Sequence, residues 1–441
     1  MKKRTLLLLI LSIFLIATAG AKEKKSKKTS KKTILVYSYT DEVPNMVNEF
    51  SENHPDFKYN VENIIVPSPF GEYAKELQSA LENNDSFSPD IFVIDLQYLY
   101  EFTKGNMSEY VMPVNDLGID IDAAIEKAEI SSFTVDLGRN ANGDVAGLSY
   151  DSSSGVFIYR RSIAKKVFGT DDPAVIQKRI GGGENDWKKF FMAASVLAKS
   201  GYSIVSGIQD LWLPFENSAE KGWIVDGKVY VDPKREAFLD YAKTAYDKGF
   251  VAKTQMWTDE WFESMKGEIP VFGFFGPAWF LNYVLAYNSI PYGSDGPEND
   301  WAICESPEGF YWGGSWIFVN KNLKSDKKAA VKQLIEYLTL DCSKDGAMYK
   351  YADSEYAKQT VVSGEVMKNI DGRLDFLFGQ NMYDIFIKAN QSAKGTNFSN
   401  HDDEIENIWL DEVNQYVTGQ KSRARALADF KRTVTETFAL Y

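Results

Sequence analysis

The sequence predicts an α/β protein built on a parallel sheet with covering helices. Two strand–helix–strand units follow one another between residues 33 and 95, and this order favours parallel strands. Residues 33–441 exceed what one hydrophobic core usually holds, so two or three domains are expected. The hydrophobic content of 44% is typical of a globular chain, and the aromatic content of 14% is high.

The first 32 residues are predicted to lie outside the globular body. A basic start, an apolar run and the small residues Ala19-Gly20-Ala21 predict a signal peptide over 1–21, with an uncleaved anchor as the alternative. Residues 22–32 hold seven lysines and predict a disordered leader. This leader is either a spacer or a contact for anionic lipid or cell-wall polymer. Because no cysteine follows the cleavage site, lipidation is not expected.

Hydrophobic periodicity defines the elements of the first 95 residues. Short apolar runs predict strands, and apolar residues at spacings of three and four predict helices. The predicted elements, in order, are a strand over 33–39, a helix carrying Val43, Met46, Val47 and Phe50 and capped by Asp41, a strand over 59–66, a helix carrying Tyr73, Leu77 and Leu81, and a strand over 89–95.

The same patterns predict the elements of the rest of the chain. Extended segments are expected at 155–159, 269–275 and 316–319. Helices are expected at 187–199, at 237–248, over 331–338 after a cap at Ser325, and at the C-terminus over 427–438.

Charge and composition exclude several function classes. Ten basic side chains and one acidic side chain lie in residues 1–32, so residues 33–441 carry 39 basic and 61 acidic side chains and a net charge of −22. Such a body repels nucleic acid and anionic lipid, so neither nucleic-acid binding nor stable membrane insertion is expected. Cys304 and Cys342 are predicted not to pair. With two histidines and no Cys/His cluster, no metal site or cofactor is expected.

Several short motifs follow one another along residues 33–441. They include Phe50 and Pro55 at the end of the first helix, Pro89-Asp90-Ile91, Gly155 to Tyr159, Gly276-Pro277-Ala278-Trp279, and the glycines of 309–314. In this order the chain resembles the extracellular solute-binding proteins of ABC importers, the group that includes the maltose-binding protein. Arg160 stands where the family usually has an asparagine.

The resemblance implies the two-lobe periplasmic-binding-protein fold of type II, with a ligand cleft between lobes joined by crossover strands. One lobe would comprise 33–146 plus 319–354, and the other 147–318 plus 355–441. The implied function is capture of a small solute, most often a mono- or oligosaccharide, by lobe closure for ABC permease subunits, with no catalysis. We expect a periplasmic or secreted monomer.

Candidate ligand residues follow the ends of two predicted strands. In parallel sheets, ligands bind beyond the carboxyl ends of the strands. Tyr39, Thr40 and Asp41 follow the first strand, and Asp95 ends the third. Asp41 has a competing role as the helix cap. Tyr150-Asp151 is expected to line the cleft where the chain crosses between lobes.

Aromatic residues supply the second group of candidates, because sugar rings stack on aromatic faces. Trp279 follows a Gly-Pro turn, and the matching family tryptophan lines the cleft. Trp312 precedes Gly313 and Gly314, where backbone can approach a ligand. Trp212 is expected in an apolar loop, as a ligand contact or as core. The structural tryptophans are expected to be Trp187, Trp223, Trp257, Trp261, Trp301 and Trp409.

Three alternatives stay open from the sequence. A binding protein with this fold could take a polyamine, a peptide or a metal complex in place of a sugar. The same fold could serve a sensor. A secreted glycosidase would need a carboxylate pair at a set distance, which a sequence does not show, and no hydrolase motif is present.

Overall fold

The computed structural model describes residues 33–67, 71–289, 300–354 and 358–440. The predicted signal peptide (1–21) and Lys-rich leader (22–32) lie outside these residues. Within them, no helix has the length and hydropathy needed to cross a bilayer.

The strands of the described residues are short, and most are buried. They are β1 (Thr33–Ser38), β2 (Asn60–Ile65), β3 (Ile91–Asp95), β4 (Gly147–Ser149), β5 (Val156–Arg160), β6 (Ile224–Val225), β7 (Lys228–Val229), β8 (Gly273–Gly276), β9 (Trp301–Cys304), β10 (Ser315–Val319), β11 (Arg373–Leu374) and β12 (Gln380–Asn381).

The α-helices surround these strands. They are α1 (Glu42–Asn53), α2 (Glu72–Asn83), α3 (Leu96–Thr103), α4 (Ile121–Ala128), α5 (Ser132–Leu137), α6 (Arg161–Phe168), α7 (Pro173–Ile180), α8 (Lys188–Lys199), α9 (Ile208–Glu216), α10 (Pro233–Asp247), α11 (Asp259–Lys266), α12 (Ala286–Ser289), α13 (Lys328–Thr339), α14 (Ala347–Ala352), α15 (Gly364–Lys368), α16 (Tyr383–Ser392), α17 (Asp402–Val417) and α18 (Arg423–Thr437).

A five-stranded sheet has the order β2-β1-β3-β10-β4. Strand β1 is parallel to both β2 and β3, which confirms the predicted parallel units. Strand β10 returns antiparallel between β3 and β4. All six residues of β1 are buried, as expected for a central strand with helices on both faces.

Helices α1 and α2 cover this sheet with the apolar faces that the sequence predicted. The predicted apolar residues of both helices are buried. The hydroxyl of Tyr73 also donates to the carbonyl of Val93 at 2.7 Å, which fixes α2 against β3. At the opposite edge, the buried Asp90 carboxylate accepts from Leu35 N and pairs with Lys327 Nζ at 2.6 Å. A buried charge is tolerated there because it is paired and hydrogen-bonded.

A second sheet has the order β8-β5-β9 and is antiparallel. Helices α7 to α10, α17 and α18 contribute to the aromatic core beside it. Trp212, Trp223 and Trp409 meet there with ring centroids 5.5–6.2 Å apart.

The chain passes between the two sheets along neighbouring segments. Residues 150–155 connect β4 to β5, and residues 305–314 connect β9 to β10. Bridges between Ser154 and Tyr311 and between Asp151 and Val361 hold these segments beside each other and beside the segment that begins at 358. Strands β4 and β10 lie in the five-stranded sheet, whereas the predicted lobe boundaries assign nearly all of both to the second lobe.

Several local predictions differ from the structure. The side chain of Asp41 accepts no capping hydrogen bond in the described part of the chain, although Asp41 precedes α1. Helix α13 begins at Lys328 and is not capped by Ser325. Trp212 lies inside α9, not in a loop, because a helix spans Pro214. Cys304 is buried, and neither it nor Cys342 forms a disulfide, as predicted.

Candidate functional site

The carboxyl end of the five-stranded sheet brings distant polar residues together. Asp95 ends β3 and lies opposite Ser315, the first residue of β10, because these strands are antiparallel. Tyr39 follows β1 on the other side of β3. Its hydroxyl lies 2.6 Å from Ser315 Oγ. Tyr39 therefore lies at the same end of the sheet as Asp95. Tyr39 and the adjacent Thr40 are both half-buried.

Asp95 caps a helix and has a raised pKa. Its Oδ1 accepts from Gln97 N at 3.1 Å and caps α3. Desolvation by burial raises the pKa of Asp95, while the hydrogen bonds to Gln97 N and Tyr39 act in the opposite direction. The exposed Asp41 stands apart from this group of hydrogen bonds.

Asp151 is the most strongly perturbed carboxyl group of this wall. Its Oδ1 accepts from Ser149 Oγ at 2.9 Å and from Ser315 N at 3.2 Å. Burial raises the pKa of Asp151 to about 7, with a further contribution from the negative charge of Glu42. Asp151 therefore lies in a poorly hydrated position near a second carboxylate.

Glu42, at the start of α1, is held by two tyrosines. The hydroxyl of Tyr150 donates to its Oε2 at 2.5 Å, and that of Tyr351 donates to its Oε1 at 3.2 Å. Tyr150 is itself fully buried, so it positions Glu42 more than it lines an open surface. Glu42 and Tyr351 were not among the predicted site residues.

The Gly313-Gly314 pair brings the 305–314 segment close to the sheet edge. Both glycines have positive φ, +79° and +126°. A Cβ at Gly314 would lie 3.0 Å from the ring of Trp316, which is tighter than ordinary van der Waals contact. The carbonyl of Gly314 accepts from Leu96 N at 3.1 Å. The segment consequently lies against the N-terminus of α3, beside Asp95.

Three tryptophans form a cluster next to this pair. The indole N–H of Trp279 donates to the carbonyl of Trp312 at 3.0 Å, and their ring centroids are 4.7 Å apart. The ring of Trp257 lies 5.8 Å from that of Trp312. Trp279 and Trp312 are half-buried, whereas Trp257 is 52% exposed and has a left-handed φ of +68°. The expectation that Trp257 is buried is wrong, because about half of its side chain is exposed.

Tyr283 links this aromatic region to Glu42. It lies in the π-helix Phe280–Leu285 that follows Trp279, and its side chain is 56% exposed. Its pKa is raised by desolvation and by the charge of Glu42. Tyr283 therefore lies within range of the Glu42 charge, in the helix that follows Trp279.

A carboxylate on α17 is affected by the charge of Asp95. Asp403 is in the first turn of α17, and its side chain is exposed. Its pKa is nevertheless raised to about 6, first by desolvation and then by the charge of Asp95. Asp403 is therefore near enough to Asp95 for the two charges to interact.

Nine of the eleven predicted site residues fall into three groups, and the other two are the exposed Asp41 and the fully buried Tyr150. Five of them meet at the sheet edge: Tyr39, Thr40, Asp95, Asp151 and Gly314. Trp279, Trp312 and Gly313 form the adjoining aromatic group. Trp212 lies elsewhere: it is 1% exposed, and its indole donates to Glu406 Oε1 at 2.5 Å.

Two surface cavities lie away from these residues. One of about 510 Å³ is lined by residues such as Phe50, His54 and Tyr337. The other, of about 410 Å³, is lined by residues such as Thr254 and Asn407. None of the predicted ligand residues lines either cavity. No group of three or more His, Cys, Asp or Glu side chains suited to a metal ion occurs within the described ranges.

A family model described as "Bacterial extracellular solute-binding protein" matches residues 45–358. The chain belongs to this family. The match includes the carboxyl ends of β3 and β4, the Trp257–Trp279–Trp312 cluster and the 305–314 segment. The family and its fold are those of solute-binding proteins, not of enzymes. A search of curated proteins returned no match.

Solved structures of two-lobe binding proteins share the fold of this binding protein. An extracellular solute-binding protein of family 1 is 18% identical, with a TM-score of 0.74 over 91% of this chain and 98% of the other. The sugar-binding protein MalE from Xanthomonas citri is 16% identical, with a TM-score of 0.69 over 92% and 97%. The galacto-N-biose-/lacto-N-biose I-binding protein from Bifidobacterium longum, in complex with lacto-N-biose, is 16% identical, with a TM-score of 0.66 over 94% and 99%.

Proposed function

We propose that this binding protein captures a mono- or oligosaccharide between its two lobes and delivers it to the permease of an ABC importer. The observation that carries the proposal is the exposed face of the Trp257–Trp279–Trp312 cluster beside the polar edge of the five-stranded sheet. Sugar-binding relatives with the same fold, including MalE and the lacto-N-biose binder, support it.

The tryptophan cluster provides the apolar half of a sugar site. A pyranose presents a face of C–H groups, which stacks on an indole and leaves water in doing so. Trp257 offers the most accessible ring, and Trp312 lies behind it. The hydrogen bond from Trp279 to the Trp312 carbonyl fixes the cluster before a ligand arrives, which lowers the entropy lost on binding.

The sheet edge provides the polar half. Asp95 and Asp151 present carboxyl oxygens that accept from sugar hydroxyls, and hydrogen bonds to ionised carboxylates are stronger than neutral ones. Tyr39 and Ser315 add hydroxyl groups that both donate and accept. These carboxyl and hydroxyl groups would distinguish sugars by the directions in which their hydroxyls point.

Closure is proposed to occur about the segments 150–155 and 305–314. The two lobes are therefore proposed to divide at these segments, a few residues from the predicted boundaries at 146/147 and 318/319, so that β4 and β10 move with the five-stranded sheet. Hinges of this kind absorb a change in backbone angles within a few residues. Asp95 and Asp403, one from each wall, would then move together around the ligand. We further propose an exported, non-lipidated monomer that has no catalytic activity.

Isothermal titration against neutral mono- and oligosaccharides tests this function. A ligand at a hundred times its Kd stabilises the native state by about 2.7 kcal/mol, so a thermal-shift screen identifies candidates first. Trp257→Ala should weaken sugar binding by about tenfold or more, on the scale measured for aromatic anchors. Phe87→Ala is the matched control, because Phe87 is 51% exposed but precedes β3 at the other end of that strand.

Three outcomes would count against the proposal. If Trp257→Ala and Phe87→Ala weakened sugar binding equally, the tryptophan cluster would not contact the sugar. Binding of peptides alone would be consistent with the fold but would show that the ligand is not a sugar. Cleavage of a glycan in the screen would show catalysis.

A further inference from the structure

The turn that carries Trp257 has an unfavourable backbone conformation. Thr258 N donates to the carbonyl of Gln255 at 3.2 Å, which places Met256 and Trp257 at the two central positions of a four-residue turn. Trp257 has a φ of +68° there. Turns usually carry glycine or asparagine at such a position, because a Cβ comes too close to the backbone in the left-handed region. The conformation of Trp257 therefore needs support from the residues around it.

The segment that leads into this turn has open space on one side. Lys253, Thr254 and Gln255 line the second surface cavity, of about 410 Å³, and Gln209 of α9 lines it as well. The side chain of Met256 is half-buried against the core, so it anchors one residue of the turn but does not fix the direction of its neighbour. Hydrogen bonds to the backbone of the turn consequently have a large share in keeping it in one conformation.

Gln209 supplies such a hydrogen bond at the centre of the turn. Gln209 is half-buried in the first turn of α9, and its Oε1 accepts from Met256 N at 2.9 Å. This amide lies one residue before Trp257. The bond therefore fixes the peptide plane from which the left-handed residue starts.

The next residue of α9 holds the ring that lies behind Trp257. Asp210 is 1% exposed, and its Oδ1 accepts from the indole N–H of Trp261 at 3.0 Å. Trp261 is fully buried, and its ring centroid lies 5.1 Å from that of Trp257. The first turn of α9 thus contacts both the backbone of the Trp257 turn and the aromatic ring behind it.

We propose that Gln209 is a positioning residue for sugar binding, because its hydrogen bond to Met256 N holds Trp257 in the conformation that places its ring beside Trp312. This inference rests on the proposed capture of a sugar at the tryptophan cluster. Gln209 acts through the turn and not through contact with the sugar. A ring that is fixed before the ligand arrives loses less conformational entropy on binding, so removal of the support lowers affinity although the ring is still present.

Titration calorimetry with glucose, galactose, maltose and lactose tests the inference. Gln209→Met keeps the length of the side chain and removes the acceptor, so the affinity for the sugar that binds best should fall about three- to tenfold, the range of one net hydrogen bond. Gln209→Glu keeps an acceptor for Met256 N and should retain most of the affinity. In a Trp257→Ala background, Gln209→Met should cause no further loss, because the ring that it positions is gone.

Gln380→Met is the matched control. Gln380 is also half-buried, and its Oε1 accepts from Ile303 N at the same distance of 2.9 Å, while its Nε2 donates to the carbonyl of Ile303. It belongs to β12 and binds β9, so it does not contact the Trp257 turn. This variant loses at least as many hydrogen bonds as Gln209→Met and should keep the affinity of the wild type. Unfolding midpoints without ligand identify any variant that is misfolded.

Hydrogen exchange of the ligand-free protein tests the support of the turn without any sugar. The peptide that spans residues 252–260 should exchange about three- to tenfold faster in Gln209→Met, because the amide of Met256 loses its acceptor. The same peptide should exchange at the wild-type rate in Gln209→Glu and in Gln380→Met.

The outcomes separate this inference from the proposed function. If a sugar binds the wild type and Gln209→Met with equal affinity, the inference is overturned and sugar capture stands. If Gln209→Met weakens binding as much in the Trp257→Ala background as it does alone, Gln209 does not act through that ring, and the inference is again overturned. If none of the four sugars binds, sugar capture is overturned, and the exchange experiment alone decides whether Gln209 holds the turn.

Discussion

Asp151→Asn should stabilise the ligand-free protein above neutral pH. The substitution keeps an oxygen that accepts from Ser149 Oγ and Ser315 N, and it removes the charge that burial and Glu42 disfavour. The variant resembles the protonated aspartic acid in both size and charge. Because Asp151 lies at the candidate site with its carboxyl group at the polar sheet edge, the same variant should lose ligand affinity.

The magnitude follows from the difference in pKa between the folded and unfolded states. The unfolded value is 3.8, and the native value is about 7. Because the native state holds its proton more tightly, stability is fully present below pH 3.8 and falls as pH rises to about 7, by roughly 1.4 kcal/mol per unit. The whole loss is at most about 4 kcal/mol, and the part between pH 5 and pH 8 is about 2 to 3 kcal/mol.

Urea unfolding of the wild type and the variant at pH 5 and pH 8 measures this difference. The advantage of Asp151→Asn should be about 2 to 3 kcal/mol larger at pH 8 than at pH 5. Asp116→Asn is the control, because Asp116 is an exposed aspartate outside the candidate site and should give no such change. A difference between wild type and Asp151→Asn that does not vary with pH would refute the reasoning, since it would mean that Asp151 is well hydrated in the native state.

Two further predictions concern the backbone and the thiols. Gly314→Ala should destabilise the protein by about 1–3 kcal/mol more than Gly118→Ala in urea unfolding. Both glycines have positive φ, but only at Gly314 would the added methyl group also contact a ring, that of Trp316. Equal losses of stability in the two variants would contradict this prediction. In the native protein, Cys342 should react with a thiol reagent well before Cys304, whose pKa burial raises, and the second thiol should appear only in denaturant. Reductant should leave the unfolding midpoint unchanged; a lower midpoint would indicate a disulfide.

The parallel units at the start of the chain were predictable because their signals are local. The run 33–39 contains apolar and β-branched residues, and its strand ends at Ser38. The spacing of Val43, Met46, Val47 and Phe50 defines one helix face, and that face is buried. Side-chain periodicity indicates which residues face the core, and it does so without knowledge of the residues on the other side of that core.

Part of the candidate site was predictable for a topological reason. Once parallel strands are inferred, the residues that follow them meet at one edge, so Tyr39 and Asp95 could be selected. Glu42 was not selected, because nothing in the sequence indicates that Tyr150 and Tyr351 reach it from distances of more than a hundred residues along the chain. Asp403 similarly depends on how α17 lies relative to β3.

The tryptophans show where composition is insufficient. Trp212 was expected in a loop because Pro214 usually interrupts a helix, yet α9 continues through it and buries the ring beside Trp223. Trp257 was expected in the core, yet a left-handed turn directs it outward. Residue type gives the average burial of a tryptophan, and the backbone around it decides the individual case.

The sequence by itself determined the α/β class, the order of the first five elements, the acidic body and the family resemblance. These properties depend on local periodicity, on side-chain counts and on motif order, which need no coordinates. Only the tertiary structure decided that Tyr150 and Tyr351 hold Glu42, that Tyr39 and Asp95 meet at Ser315, and that Trp257 is exposed. These juxtapositions depend on two sheets and their crossing segments, and long-range packing is not encoded in any one stretch of the chain.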